Sequence, residues 1–150
     1  MNYYLNIGSN LGNREGFLLK AIVELSECGV CEALSHIVES EPWGFVSANS
    51  FLNMGVLLRS DLMPEEMLDR LHHIERKLGS TSHRNANGGY ADRNVDIDIM
   101  AAENEAGESI KIDSGRLTLP HPHLHDRKFF IDPYKELKAA SEKLKCFVAF

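Results

Sequence analysis

An α+β fold, an antiparallel sheet with helices packed on it, is predicted by three observations. Short segments of alternating apolar and polar residues flank two stretches of helical periodicity. Gly- and Pro-containing turns separate these segments. Their order is strand, helix, strand, strand, helix, strand, followed by C-terminal additions. That order is the ferredoxin-like β-α-β-β-α-β sandwich.

Tyr3 to Ile7 reads as the first strand, broken by Gly8-Ser9-Asn10-Leu11-Gly12-Asn13. A helix is expected from about Arg14 to Cys28, with Leu18, Ala21, Ile22 and Leu25 at helical spacing. The Gly-rich turn lacks both a Gly-Lys-Ser/Thr ending and a G-x-G-x-x-G spacing, so it reads as a tight turn rather than a phosphate loop. Cys28 and Cys31 form a lone C-x-x-C at a helix end, read as two partly buried structural thiols. A second strand runs from Cys31 to Glu39, and Phe51 to Arg59 forms a third. Leu52, Met54, Val56 and Leu58 share one face of the third, Phe51, Asn53 and Gly55 the other.

Pro64 opens the second helix, Gly79 ends it, and Met67, Leu68, Leu71, Ile74 and Leu78 form its buried face. His72, His73 and Glu75 are placed on its more polar sides. A polar segment from Gly79 to Gly89 has the length and composition of a lid or binding loop. Ile110 to Ile112 and Leu117 to Leu119 suggest a hairpin around Asp113-Ser114-Gly115. Asp132-Pro133 is expected to cap and start a last helix, with Cys146 to Phe150 as a hydrophobic tail or final strand.

The 150 residues, 43% of them hydrophobic, suffice for one domain with a full core, and a single domain over 1–150 is expected. A net charge of −6 argues against a broad nucleic-acid footprint but not against a small anionic substrate. No apolar run approaches the ~20 residues of a membrane span. The N-terminus lacks the pattern of a signal peptide, and an odd number of cysteines fits reduced thiols, so a cytoplasmic location is expected.

The chemistry is concentrated in Val95 to Met100, where apolar residues alternate with Asp96 and Asp98. On a strand these carboxylates share a face about 6.5–7 Å apart. Asp is a poor strand former and the pair repels itself, so a hard cation is one reading and a solvated polar face the other. Trp43, in the loop Pro42-Trp43-Gly44-Phe45, either faces a flat ligand or folds onto the core. Asn53 beside Phe51 either clamps a planar heterocycle or is a satisfied structural amide.

Five motifs occur in order. They are Tyr4 to Arg14; Glu39-Ser40-Glu41-Pro42-Trp43-Gly44 with Phe51 to Val56; Leu71 to Gly79; Arg93 to Met100; and Leu117 to Phe129. Together they resemble the 6-hydroxymethyl-7,8-dihydropterin pyrophosphokinase family over roughly residues 3 to 137. The resemblance implies the ferredoxin-like fold and transfer of a pyrophosphoryl group from ATP to the pterin hydroxymethyl oxygen, in folate biosynthesis. It further implies two Mg²⁺ ions held by Asp96 and Asp98, consistent with a two-metal clamp. It implies pterin contacts by Ser40, Trp43, Phe51, Asn53 and Phe129. Arg93, His121 and Arg127 match phosphate-contacting positions, with Arg93 and Arg127 counted with the diacid as catalytic. His72, Glu75, Arg84 and Ile99 join them as ATP-binding positions.

The chain departs from the family where Ala91-Asp92-Arg93-Asn94 replaces a usual Gly-Pro-Arg-Thr, and Asp92 adds a negative charge beside Arg93. The lid region is longer and offers only Arg84, with His83 and Tyr90. Two other function classes fit parts of the pattern. One is a non-catalytic pterin- or nucleotide-binding module, which the intact diacid argues against. The other is a metal-dependent phosphohydrolase on His121, His123 and His125, which Pro122 argues against by interrupting any regular strand. The expected partners are small molecules, with no nucleic acid or membrane, and a monomer is expected.

Overall fold

The computed structural model describes residues 1–41, 49–79 and 94–148. Two central strands, β1 (Asn2–Ser9) and β4 (Phe51–Arg59), pair antiparallel. β5 (Asp96–Glu103) flanks β1 on its other side, while β2 (Val30–Leu34) and β3 (Val38–Ser40) both pair β4. The order across the sheet is β2-β4-β1-β5, all antiparallel, with β3 beside the other end of β4. α1 (Arg14–Leu25) follows β1, and α2 (Pro64–Lys77) joins β4 to β5.

Strand alternation decides what covers each face. Leu5, Ile7, Leu52, Met54, Val56, Leu58, Ile97 and Ile99 point to one side. There they meet Leu18, Ala21 and Leu25 of α1 and Met67, Leu71 and Ile74 of α2. Each such fully buried side chain contributes about 1.5–3 kcal/mol by leaving water. Cys28 and Cys31 are half-buried free thiols against this core.

The helices do not all lie on one side, and the second face is covered in part. Tyr4, Leu57, Met100 and Ala101 pack there against Leu124 and against Phe130 and Leu137 of α3 (Lys128–Val148). A bulge opposite the Tyr4–Leu5 step leaves Met100 as the extra residue and brings both Met100 and Ala101 to the α3 side. Gly55 permits the approach: a Cβ there would lie 2.9 Å from both Leu137 Cδ1 and Pro133 Cβ. Farther along, the Tyr4 hydroxyl donates to the buried Glu103 carboxylate, which also accepts from Lys138 Nζ at 3.2 Å. α3 therefore covers half of this face and leaves the other half uncovered.

Several element boundaries differ from expectation, β1 among them, which runs on through Gly8 and Ser9. α3 begins at Lys128 rather than at Asp132-Pro133, with Phe130 and Ile131 N–H groups bonding Arg127 O. Pro133 has no N–H to give to Phe129 O, and the Asn6 side-chain amide supplies that bond from β1 at 2.9 Å. The same helix continues through Cys146, where a strand had been one expectation. The expected second strand is split after Leu34, where the Ser35 hydroxyl accepts the Gly55 N–H at 2.7 Å in place of a strand carbonyl. α1 ends at Leu25, three residues early, in a turn through Cys28. The expected hairpin forms from β6 (Ile112–Asp113) and β7 (Thr118–Leu119).

Candidate active site

The uncovered half-face is laid out by register. Gly8 pairs with Asn53 on one side and Asp96 on the other, while Asn6 pairs with Gly55 and Asp98. Directly paired residues point to the same face, so Asn53, Gly8 and Asp96 form one row and Asn6 and Asp98 the next. Gly8 keeps the floor between them clear. A Cβ there would stand 3.2 Å from Asn53 Oδ1 and 3.4 Å from Phe51 Cδ1. Above this floor lies a cleft of about 450 Å³, a volume suited to small-molecule binding.

One end of the cleft is built from β3 and β4. Ser40 pairs with Phe51, and Asn53 Nδ2 donates to Ser40 Oγ at 2.7 Å and Val38 O at 3.4 Å. The buried amide is thus oriented with its oxygen toward Gly8. Phe51 and Phe129 both line this space. Phe129 is anchored through its own carbonyl by Asn6.

The middle carries charge. Asp96 and Asp98 are half-buried on the floor, as the alternation of Val95 to Met100 requires. Arg127 lies over the Phe130 ring at 5.0 Å and the Phe129 ring at 5.8 Å, which holds the guanidinium by cation–π contact. The His121 ring stands edge-on to Phe130 at 4.9 Å, and its Nδ1 accepts the His123 N–H at 3.0 Å. A neutral His121 therefore carries its proton on Nε2. Burial, and then the nearby Arg127 and His123, pull His121 down to about 4, with Asp96 acting the other way. It is neutral near pH 7.

The sign of this shift gives a pH prediction. An unfolded histidine binds its proton near 6.5, the folded His121 only near about 4, so between these values the unfolded state holds more protons. The stability due to His121 is complete above pH 6.5 and is lost as pH falls toward 4. In thermal unfolding of the ligand-free protein, the midpoint of the wild type should fall more steeply over this window than that of His121→Asn. Parallel slopes would refute the assignment.

The far end is formed by α2, β5 and the β6–β7 hairpin. Leu68, His72, Glu75, Ile99 and the hairpin residues Arg116, Leu117 and Thr118 line it. Glu75 does not sit on a polar side of its helix as expected. It is 2% exposed, and its Oε2 accepts the Ile97 N–H at 2.8 Å on the outer edge of β5. A strand edge leaves such donors to be satisfied, and a buried carboxylate does so here. Arg116 bonds Glu65 Oε2 at 3.0 Å and also Asp69, tying the hairpin to α2.

The fold thus brings Ser40, Phe51, Asn53, His72, Glu75, Asp96, Asp98, Ile99, His121, Arg127 and Phe129 to one cleft. Trp43, Arg84, Asp92 and Arg93, with the lid region from 80 onward, lie outside the described residues. Sequence reasoning missed Asn6, Gly8, Leu68 and Arg116 to Thr118, which line the same space. Asn6 carried a signal, a polar residue between Leu5 and Ile7 at mid-strand; the hairpin residues carried none. Of the three histidines, His121 and His123 line the cleft while His125 is exposed and does not. Among the described residues no group of three or more His, Cys, Asp or Glu is assembled to hold a metal. The diacid does fit a hard cation. It offers two carboxylates on one face beside open space, matching the way Mg²⁺ combines one or two carboxylates with substrate phosphates.

On the half-covered face of this α+β sheet, one cleft joins an amide–aromatic end to a diacid and an Arg–His pair. A model of the 7,8-dihydro-6-hydroxymethylpterin-pyrophosphokinase (HPPK) family matches residues 4–139, and the chain belongs to that family. It is 42% identical over 137 residues to the Porphyromonas gingivalis 2-amino-4-hydroxy-6-hydroxymethyldihydropteridine pyrophosphokinase, covering 89% of this chain and 88% of the relative. Proteins of the same name from Aquifex aeolicus and Bacillus subtilis are 35% and 33% identical, over 90% and 93% of this chain and 79% and 80% of theirs. A solved Plasmodium falciparum HPPK-DHPS structure aligns with a TM-score of 0.59 at 14% identity, covering 87% of this chain and 39% of that one. At that identity the likeness shows the fold alone.

Proposed function

We propose that the described cleft is where this chain carries out its family's reaction. The chain is an ATP-dependent pyrophosphokinase that transfers a pyrophosphoryl group from ATP to the hydroxymethyl group of 6-hydroxymethyl-7,8-dihydropterin, giving AMP and the pterin pyrophosphate, in folate biosynthesis. The observation that carries the site is the shared row of Asn53, Gly8 and Asp96, which puts a ring-recognising amide and a carboxylate on opposite sides of a bare floor.

The pterin lies at the β3–β4 end. Asn53 Oδ1 accepts from its amino edge, backbone groups near Ser40 and Trp43 add contacts, and Phe129 with Phe51 or Trp43 holds the ring. ATP lies toward α2 and the hairpin, with its base near His72, Glu75 and Ile99. Asp96 and Asp98 would hold two Mg²⁺ ions, which would supply positive charge against the triphosphate. Neutral His121 donates Nε2–H to a phosphate oxygen, and Arg127, held by its aromatic neighbours, adds positive charge where negative charge develops. Arg84 and Arg93 complete the phosphate side on the strength of the sequence. The order β2-β4-β1-β5 supports a ferredoxin-like plan whose second strand is split in two.

One sheet carrying both clusters of buried side chains supports a single domain over 1–150, and we propose a monomer acting in the cytoplasm. Among the described residues no helix is long and apolar enough to cross a membrane. The test is incubation with ATP, Mg²⁺ and 6-hydroxymethyl-7,8-dihydropterin. AMP should appear in step with pterin pyrophosphate, whereas ADP, or binding without turnover, would overturn the assignment. Asn53→Ala should raise the pterin KM about tenfold, the loss of a well-placed hydrogen bond, and leave the ATP KM unchanged.

A further inference from the structure

Arg14 is the first residue of α1, where the positive end of the helix dipole disfavours a cation. The helix is capped without it, by Asn13 Oδ1 accepting the Gly16 N–H at 3.1 Å. The Arg14 guanidinium instead leaves its own element. Nη1 donates to both the carbonyl and the hydroxyl of Ser50, each at 3.0 Å, 36 residues away. Ser50 Oγ in turn donates to Glu39 Oε1 at 2.8 Å. A second tie from the same turn runs parallel, with Asn10 Nδ2 donating to Asn49 O at 3.3 Å.

Ser50 immediately precedes Phe51 and Glu39 immediately precedes Ser40, and Phe51 and Ser40 are the last pair of the β3–β4 ladder. The Arg14–Ser50–Glu39 chain therefore grips both strands next to the pair that forms the ring-binding end of the cleft. Arg14 does not line that cleft; it lines a separate small hollow with Asn10 and Ser50.

We propose that Arg14 is a positioning residue for pterin recognition: through Ser50 and Glu39 it holds the open end of β3–β4 so that Phe51, Ser40 and Asn53 keep their places. This rests on the reading of that end as the pterin site. A charge-assisted hydrogen bond shared by two Ser50 oxygens is stronger than a neutral one, and its loss lets a terminal ladder pair fray. The effect is confined to one substrate, because the diacid and the α2–hairpin end are anchored by other elements.

The experiment is steady-state kinetics in both substrates on the wild type, Arg14→Met, Arg14→Lys, Ser50→Ala and Asn53→Ala. Arg14→Met should raise the pterin KM about tenfold, with kcat and the ATP KM retained. Arg14→Lys, which keeps a charged donor, should recover part of the loss. Ser50→Ala should shift the same constant less, and it carries the test if Arg14→Met does not fold. An unchanged pterin KM in the clamp variants beside a raised one in Asn53→Ala would overturn the clamp alone. Unchanged values in all of them would overturn the ring-site assignment and the clamp with it. Pterin and ATP KM rising together, without recovery in Arg14→Lys, would reduce Arg14 to a general structural contact and also overturn the proposal.

Discussion

Replacing either floor carboxylate, Asp96→Ala or Asp98→Ala, should reduce kcat by about 10³-fold or more while the protein remains folded. Both side chains are half-buried on the uncovered half-face, and neither belongs to either cluster of buried apolar side chains. Their backbone places in β5 are held by pairing with Gly8 and Asn6 of β1, which an alanine preserves. Without a cation the two carboxylates repel, so removing one relieves the ligand-free protein. The thermal midpoint should therefore stay level or rise as turnover disappears. Adding Mg²⁺ with an ATP analogue should raise the midpoint of the wild type but not that of the variants. Near-normal turnover in either variant would remove the diacid from the chemistry.

Phe130→Ala should lower stability by about 3–5 kcal/mol, the usual loss for a buried Phe. Against a typical total of about 5–15 kcal/mol that is a large fraction. Phe130 is fully buried and packs with Tyr4, Leu57, Met100 and Leu137, so it joins the start of α3 to the sheet. The same ring carries the site, since His121 meets it edge-on at 4.9 Å, Phe129 at 5.1 Å, and Arg127 lies over it at 5.0 Å. Activity measured well below the unfolding midpoint should fall as well, because the two side chains proposed to face phosphate lose their support. Denaturant unfolding with a parallel activity assay checks both. A loss of stability without loss of activity would show that His121 and Arg127 are held by other contacts.

The alternation of Val95 to Met100 was enough to put Asp96 and Asp98 on one face, because a strand's period of two leaves no other arrangement. For the same reason β4 spans Phe51–Arg59 as read, and its two faces divide as read. The helical spacing of Met67, Leu71 and Ile74 likewise set the face α2 buries. What the sequence determined by itself was thus periodic and local, and the ordered motifs added the family.

Other features depend on contacts between residues far apart in the chain. Asp132-Pro133 looked like a helix start, yet α3 begins earlier because Asn6, on another strand, satisfies the carbonyl that Pro133 leaves. Glu75 looked like a surface residue, yet it is buried because the edge of β5 presents Ile97 N–H to it. Gly8 was expected to break the first strand and Gly55 to lie within the third, yet both are strand glycines, one clearing the floor of the cleft and the other admitting α3. Arg14 reads as an ordinary helix start, and its reach to Ser50 spans 36 residues. Local propensity and periodicity act within a few residues, whereas these bonds and close approaches exist only after the sheet has set its register. The elements were written in the chain; which of them meet at the site was decided by tertiary structure.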